Sequence, residues 1–133
     1  MARKKKIVNS TKYALGNTSV QSTSEIVRIK VTKSMLSKAN IDANIDLREK
    51  LRIWKIIDYD SIKKGISNKL VIKINLSIEN FIEVRNMSCY HTKNRGFRFW
   101  IERLSSSIHE DTFLEFSLND KSELFIKADQ KIN

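Results

Sequence analysis

A chain of 133 residues, 41% hydrophobic and 30% charged, suits one domain around one core, able to bury roughly two thirds of the surface its unfolded form exposes. Its 25 Lys/Arg against 15 Asp/Glu give a formal charge of +10, so the simplest physical partner is a polyanion and a cationic partner is disfavoured. The single cysteine, Cys89, excludes an internal disulfide, and no apolar run reaches the ~18 residues expected of a membrane-spanning helix.

Residues 1–24 differ in kind from the remainder. They hold Arg3, Lys4, Lys5, Lys6 and Lys12, no acid, and too little apolar content to offset the entropy of ordering. This predicts a flexible basic arm in which Arg3, Lys4, Lys5 and Lys6 contact phosphates, against the plainer reading of a solubility tail. The same cluster could open a signal peptide, but Ile7 to Val20 contains Asn, Ser, Thr, Lys and Gly where a continuous apolar stretch is required. A cytoplasmic or nucleoid-associated protein, not a secreted one, is expected. Ala2 stands where N-myristoylation needs Gly, so no lipid partner is expected beside the basic cluster.

Residues 25–133 read as a single nucleic-acid-binding domain that keeps 20 basic against 15 acidic residues. In Glu25 to Thr32, Val27, Ile29 and Val31 alternate with Ile26, Arg28, Lys30 and Thr32, a strand with one buried and one wet side. Lys33 to Asn40 is a loop or a single helical turn. Asn44 can cap a helix whose Asp46 favours the positive end of the dipole and whose Leu47, Leu51 and Trp54 share one face. The helix ends near Trp54, because Lys55 to Tyr59 also alternates well enough for a strand; Asp60 to Lys69 is loop.

From Leu70 onward strand follows strand. Leu70, Ile72, Ile74 and Leu76 alternate with Val71, Lys73 and Asn75, and a turn over Ser77 to Asn80 leads into Phe81 to Arg85. Phe97, Phe99 and Ile101 alternate with Arg98, Trp100 and Glu102 on the return arm of a hairpin turning at Asn94 to Gly96, with the polar run His91 to Arg95 at its tip. Leu114, Phe116 and Leu118 alternate with Phe113, Glu115 and Ser117, and a turn over Asn119 to Ser122 feeds a last strand from Glu123 to Ala128. Pairing is expected to be local and antiparallel. The predicted fold is α+β, mostly β: a six- to seven-stranded, mainly antiparallel pseudobarrel with one or two short helices, closure being what removes exposed edges.

Charge is uneven along the chain. The stretches Arg28 to Lys38 and Arg85 to Arg98 are basic and acid-free, whereas residues 105–133 hold six acids and three lysines. One cationic face and one mildly acidic face are expected, unless folding interleaves them.

The order of elements resembles the DNA-binding pseudobarrel shared by plant B-three transcription-factor domains and the effector domains of some restriction endonucleases. The likeness is one of layout over residues 25–128: a strand, a polar arm with a short helix, antiparallel strands bearing a long cationic hairpin, and an aromatic penultimate strand. His109 to Phe116 is similar to the family's Gly-Asp-hydrophobic-aromatic entry to that strand, with Glu110 in place of Gly and Asp111 retained. The resemblance implies two arms entering the major groove, here Lys33 to Asn40 and Tyr90 to Arg98, and places any cleavage activity on another segment or partner.

The residue chemistry leads the same way. Lys93, Asn94, Arg95 and Arg98 suit base edges, because Arg and Lys match guanine and Asn matches adenine; His91 and Thr92 lie beside them. Lys30, Thr32, Lys33, Ser34 and Lys38 suit phosphates, where hydroxyl and ammonium donors position without specifying sequence, and Asn40 is expected to bind DNA with them. Double-stranded DNA is the expected partner. RNA is the alternative, with Tyr90, His91 or Phe97 stacking on unpaired bases, although Phe97, Phe99 and Trp100 read first as core. A toxin-like ribonuclease using His91, His109 and a lysine is the leading enzymatic alternative, and a protein-interaction module a third. Cys89 and His91 lie two apart on a strand, but this pair alone makes neither a zinc site nor an activated nucleophile. No catalytic constellation, cofactor motif or membrane segment is expected, and the oligomeric state stays open.

Overall fold

A computed structural model describes residues 25–94 and 96–130. The expected basic arm with Arg3, Lys4, Lys5 and Lys6, and the expected reader Arg95, lie outside the described residues.

Seven strands and two helices follow one another: β1 (Val27–Lys30), α1 (Lys33–Lys38), β2 (Ile41–Asp42), α2 (Ile45–Ile53), β3 (Leu70–Ile78), β4 (Phe81–His91), β5 (Phe97–Ile101), β6 (Phe113–Leu118) and β7 (Leu124–Asp129). Short 3-10 turns at Tyr59–Ser61 and Ile66–Asn68 fill the segment before β3. The architecture is α+β and mostly β, as its alternating patterns dictate. All strands join one sheet in the order β1-β6-β7-β3-β4-β5-β2. Expected antiparallel pairing holds at every junction but one: β7 runs parallel to β3, Leu76 beside Ile126. The correction has a topological cause. Between β3 and β7 the chain passes through β4, β5 and β6, so β7 comes back to β3 on the side that β4 leaves open.

The sheet curls on itself. Phe99 on β5 and Phe116 on β6 are separated by three strands in sheet order, yet their rings meet edge to face with centroids 5.5 Å apart. Both are fully buried in a core with Val27, Ile29, Val31, Ile41, Ile74, Leu76, Met87, Ile101, Leu114 and Ile126, and with Leu47 and Leu51 of α2 closing one side. A half-barrel results, with the alternate residues of each strand turned outward.

Local chemistry sets the boundaries. Asn44 caps α2 by accepting from the Leu47 N–H at 2.8 Å, and Asp46 near the start with Lys50 and Arg52 near the end complement the helix dipole. Lys55 to Tyr59 is not strand: Lys55 turns to φ +61° while the Ile56 and Ile57 N–H groups both bond back to Leu51, winding the helix off. Lys33 to Lys38 resolves as a true helix because Thr32 caps it, its hydroxyl accepting from the Met35 N–H at 3.2 Å.

Several turns sit slightly away from their expected places. β3 continues through Ile78, which pairs with Phe81, so the expected Ser77 to Asn80 turn contracts to Glu79 and Asn80 at φ +49° and +71°, the two positive values of a tight hairpin. Between β4 and β5 the connection spans Thr92 to Gly96. The Thr92 N–H donates to the Gly96 carbonyl at 2.9 Å and the Gly96 N–H to the Thr92 hydroxyl at 2.9 Å. A Cβ at position 96 would lie 3.0 Å from that hydroxyl, tighter than an ordinary contact. After β6, Asn119 Oδ1 accepts from the Lys121 and Glu123 N–H groups, both at 2.9 Å, and β7 starts one residue later than expected.

Candidate functional site

Two segments far apart in sequence meet at one end of the half-barrel. Ala39, at φ +53°, stops α1, and the Asn40 N–H bonds to the Met35 carbonyl at 3.1 Å, turning the chain back into β2. β2 then pairs with β5, Ile41 opposite Phe99 and Asp42 opposite Arg98. Thr32, Ser34, Lys38 and Asn40 from the α1 arm therefore line one depression of about 250 Å³ with Asp42 and Arg98. Five of the expected site residues are gathered by this geometry. Thr32 also serves the helix as its cap, and the Asn40 amide donates to the Tyr90 hydroxyl at 3.3 Å.

The depression continues across the outer face of β4 and β5. A second hollow of about 200 Å³ shares Lys38 and Asn40 and adds Ile66, Lys69, Ser88, Tyr90 and Trp100. Phe97 and Phe99 are core, as expected, and Trp100, opposite Ser88, is half-buried and packed against that core while it lines the hollow with Tyr90. Aromatic faces and lysines thus share one surface.

Around the hairpin tip a third hollow, of about 420 Å³, is lined by Arg48, Tyr59, Asp60, Ile62, Lys64, His91 and Asn94. His91 does not stand at the surface as expected. It is 8% exposed, its Nδ1–H donates to the Thr92 carbonyl at 3.0 Å, and its ring lies 5.8 Å from that of Tyr59. Its backbone carbonyl accepts from the Gly65 N–H at 2.7 Å, so the residue ties the Lys64 loop to the end of β4. Lys93 and Asn94 remain exposed beside it, and Thr92 is spent on closing the hairpin with Gly96.

The expected separation of charge holds only in part. Arg28 reaches Glu115 at 2.9 Å and Asp129 at 3.3 Å, and Lys30 reaches Asp111 at 3.6 Å. The acidic C-terminal segments thus neutralise Arg28 and Lys30 of the first basic stretch, because β6 pairs directly with β1. Lys30 faces that acidic side rather than the depression. Arg85 is buried too, donating to the Glu102 carbonyl at 3.0 Å and paired with Glu83. Arg98 stays partly exposed with Asp42 at 2.8 Å; that carboxylate, ahead of lesser contributions from Tyr90, holds the guanidinium more firmly protonated than usual. Among the described residues, Lys33, Lys38, Lys64, Lys69 and Lys93 form no ion pair, and all five are exposed.

Lys64 and Lys69 escape a reading that treats Asp60 to Lys69 as mere loop, as Arg48 on α2 and Tyr59 before that loop escape one that looks only at the two basic stretches; for the two lysines a signal exists. The signal that could find them is charge, since Lys63, Lys64 and Lys69 share that segment with Asp60 alone.

The catalytic alternatives are not assembled. His91 closes one end of β4, while His109 lines a hollow with Asn80 at the turn that opens β4, a strand of roughly 33 Å at about 3.3 Å per residue. Cys89 is fully buried, and burial pushes its thiol up to about 12, far from a reactive thiolate. Among the described residues no group of His, Cys, Asp and Glu is placed to hold a metal ion, and no helix is long and apolar enough to cross a membrane.

No protein-family model, curated protein or solved structure matches the chain.

Proposed function

We propose that the protein binds double-stranded DNA through the surface that runs from α1 over the outer face of β5 and β4 to the hairpin tip. The observation that carries this reading is the meeting of Thr32, Ser34, Lys38, Asn40 and Arg98 in one depression, flanked by lysines that form no ion pair among the described residues. Ammonium and hydroxyl groups there suit phosphate oxygens, and the Asn94 amide and Arg98 guanidinium suit base edges. In this reading α1 and the β4–β5 hairpin act as the two arms of a pseudobarrel of the B-three and restriction-effector kind, with Arg3, Lys4, Lys5 and Lys6 assigned by their chemistry to phosphates and Arg95 to a base edge.

The test is selection from a randomised duplex pool, followed by titration of the recovered and scrambled duplexes at one salt concentration. Sequence-dependent affinity supports the proposal; equal affinity for every duplex reduces it to phosphate binding. Tyr90 and Trp100 beside Lys38 and Lys69 favour one second reading, a single-stranded or RNA ligand stacked on those rings. Randomised single strands carried through the same selection decide between the two.

A further inference from the structure

β4 is longer than the partner on its outer side. β5 pairs with it only from Met87 to His91, because Arg103 at φ +60° turns the chain away beyond Ile101. From Phe81 to Arg85 β4 is held by β3 alone.

The direction of its backbone groups follows from the turn geometry at one end and from two hydrogen bonds at the other. Ile78 and Phe81 flank a two-residue turn, a position where facing residues exchange both hydrogen bonds, so odd-numbered residues of β4 bond toward β3. At Asn86 the carbonyl accepts from the Glu102 N–H at 3.1 Å and the N–H donates to the Glu102 carboxylate at 2.9 Å, so even-numbered residues face the other way. The N–H and C=O groups of Ile82 and Val84 therefore point off the sheet and have no partner among the described residues. The two residues are 61% and 59% exposed, and Phe81 is 81% exposed. Lysine, proline or a bulge would blunt such an edge, and Phe81 to Val84 contains none; its one charged residue, Glu83, is paired with Arg85 and Arg103 of its own chain.

We propose that this edge pairs with the same edge of a second copy, antiparallel about a two-fold axis at Glu83. The commitment to a second copy rests on self-complementarity. In the register that sets Ile82 opposite Val84, both edge-facing residues of one copy meet both of the other, giving four backbone hydrogen bonds and two apolar cross-strand pairs. Shifting the register sets Val84 opposite itself and Ile82 opposite Asn86, whose backbone groups Glu102 already occupies. In the proposed register Phe81 lies opposite Arg85 of the second copy, beside a hollow of about 280 Å³ lined by Leu76, Ile78, Glu83, Arg85 and Ser107. Charge is compatible as well. Each Glu83 at the axis carries its own cations, Arg85 beside it and Arg103 at 3.6 Å, so two carboxylates meet among four guanidinium groups.

Sedimentation of the full chain over a range of concentrations, without nucleic acid, tests the pairing independently of the DNA reading. A reversible monomer–dimer equilibrium is expected, abolished by Val84→Lys with the circular dichroism spectrum unchanged. Mild oxidation should convert Glu83→Cys to a covalent dimer, because position 83 faces itself across the axis in a close, non-hydrogen-bonded pair. Ile82→Cys alone should not cross-link, but mixed with Val84→Cys it should; the native Cys89 is buried and gives no background. A chain that stays monomeric at every concentration overturns the proposal and leaves the edge to a foreign strand. So does a dimer that survives Val84→Lys. Should Val84→Lys fail to fold, the Glu83→Cys cross-link alone decides, and its absence under oxidation counts against the pairing.

Discussion

Asp42 and Arg98 sit opposite each other on β2 and β5, with the carboxylate 2.8 Å from the guanidinium Nε. This pair fixes the direction of the arginine and also takes up part of its charge, so it works both for and against a polyanion at the same depression. Arg98→Ala should cost about 1–3 kcal/mol on a preferred duplex and much less on a scrambled one if the guanidinium reads a base edge. Asp42→Asn should strengthen binding to every duplex and steepen the salt dependence by up to about 0.9 in logarithmic slope, because the freed guanidinium can neutralise one more phosphate. Titration of both duplexes against both variants checks the two claims; parallel losses in Arg98→Ala make the residue a positioning group.

Lys38 and Lys69 stand on the two walls of the hollow that contains Tyr90 and Trp100, whereas Lys30 is paired with Asp111 on another side. Replacing Lys38 and Lys69 together with Ala should weaken all duplexes alike and flatten the salt slope by about 0.9 for each phosphate that is no longer neutralised. Lys30→Ala should leave the slope unchanged. If Lys30→Ala and the double variant flatten it equally, binding follows net charge and the depression is not the interface.

How far the sequence carries depends on the length scale of each interaction. Period-two alternation locates β1 and β3 to β7, and the Asn44 cap with Leu47 and Leu51 locates α2, because these patterns are written within a few neighbouring residues. β2 is two residues long and has no period to detect. The parallel β3–β7 pairing and the Phe99–Phe116 contact join segments remote in sequence, so no local pattern encodes them. The same limit applies to the site. The arm around Lys38 and the hairpin around Arg98 are both legible as basic segments, but their convergence in one depression is written in no local pattern. What fails is the assumption that a basic run stays basic: Arg28 and Lys30 acquire Glu115, Asp129 and Asp111 through the β1–β6 pairing. His91 departs from expectation for a different reason, since Tyr59, which covers it, lies in a segment with no regular pattern.

Ala39 holds a left-handed conformation at φ +53° where the chain leaves α1, and a Cβ there costs roughly 1 kcal/mol that glycine avoids. Ala39→Gly should therefore raise the unfolding free energy by up to about 1 kcal/mol, reduced by the extra freedom glycine brings to the unfolded chain. Urea denaturation measures this directly. A loss of stability comparable to a helix-interior glycine would show that the α1 exit is not where the strain lies.

Cys89 gives a pH test of the core. Its thiol lies between Leu70 and Phe99 in the sheet register, and desolvation raises its pKa from 9.0 to about 12 in the folded protein. The folded state therefore keeps a proton that the unfolded state releases near 9.0, and stability tied to the neutral thiol is fully present below that pH. As pH rises from 9.0 towards 12 the unfolded state binds fewer protons than the folded one, so unfolding becomes easier by up to about 1.4 kcal/mol per pH unit. Lysines and tyrosines titrate in the same range, so the comparison must be with Cys89→Ala. At neutral pH that variant should be the less stable, having lost a buried sulfur, and its deficit should shrink as the pH is raised because it has no thiol to ionise. A thiol reagent should leave the native protein unmodified at mildly alkaline pH and label it only as urea unfolds the sheet. Denaturation curves that keep the same separation at neutral and alkaline pH, or rapid labelling of the native chain, would mean that water reaches Cys89 and that the β3–β4–β5 layer is looser than its packing implies.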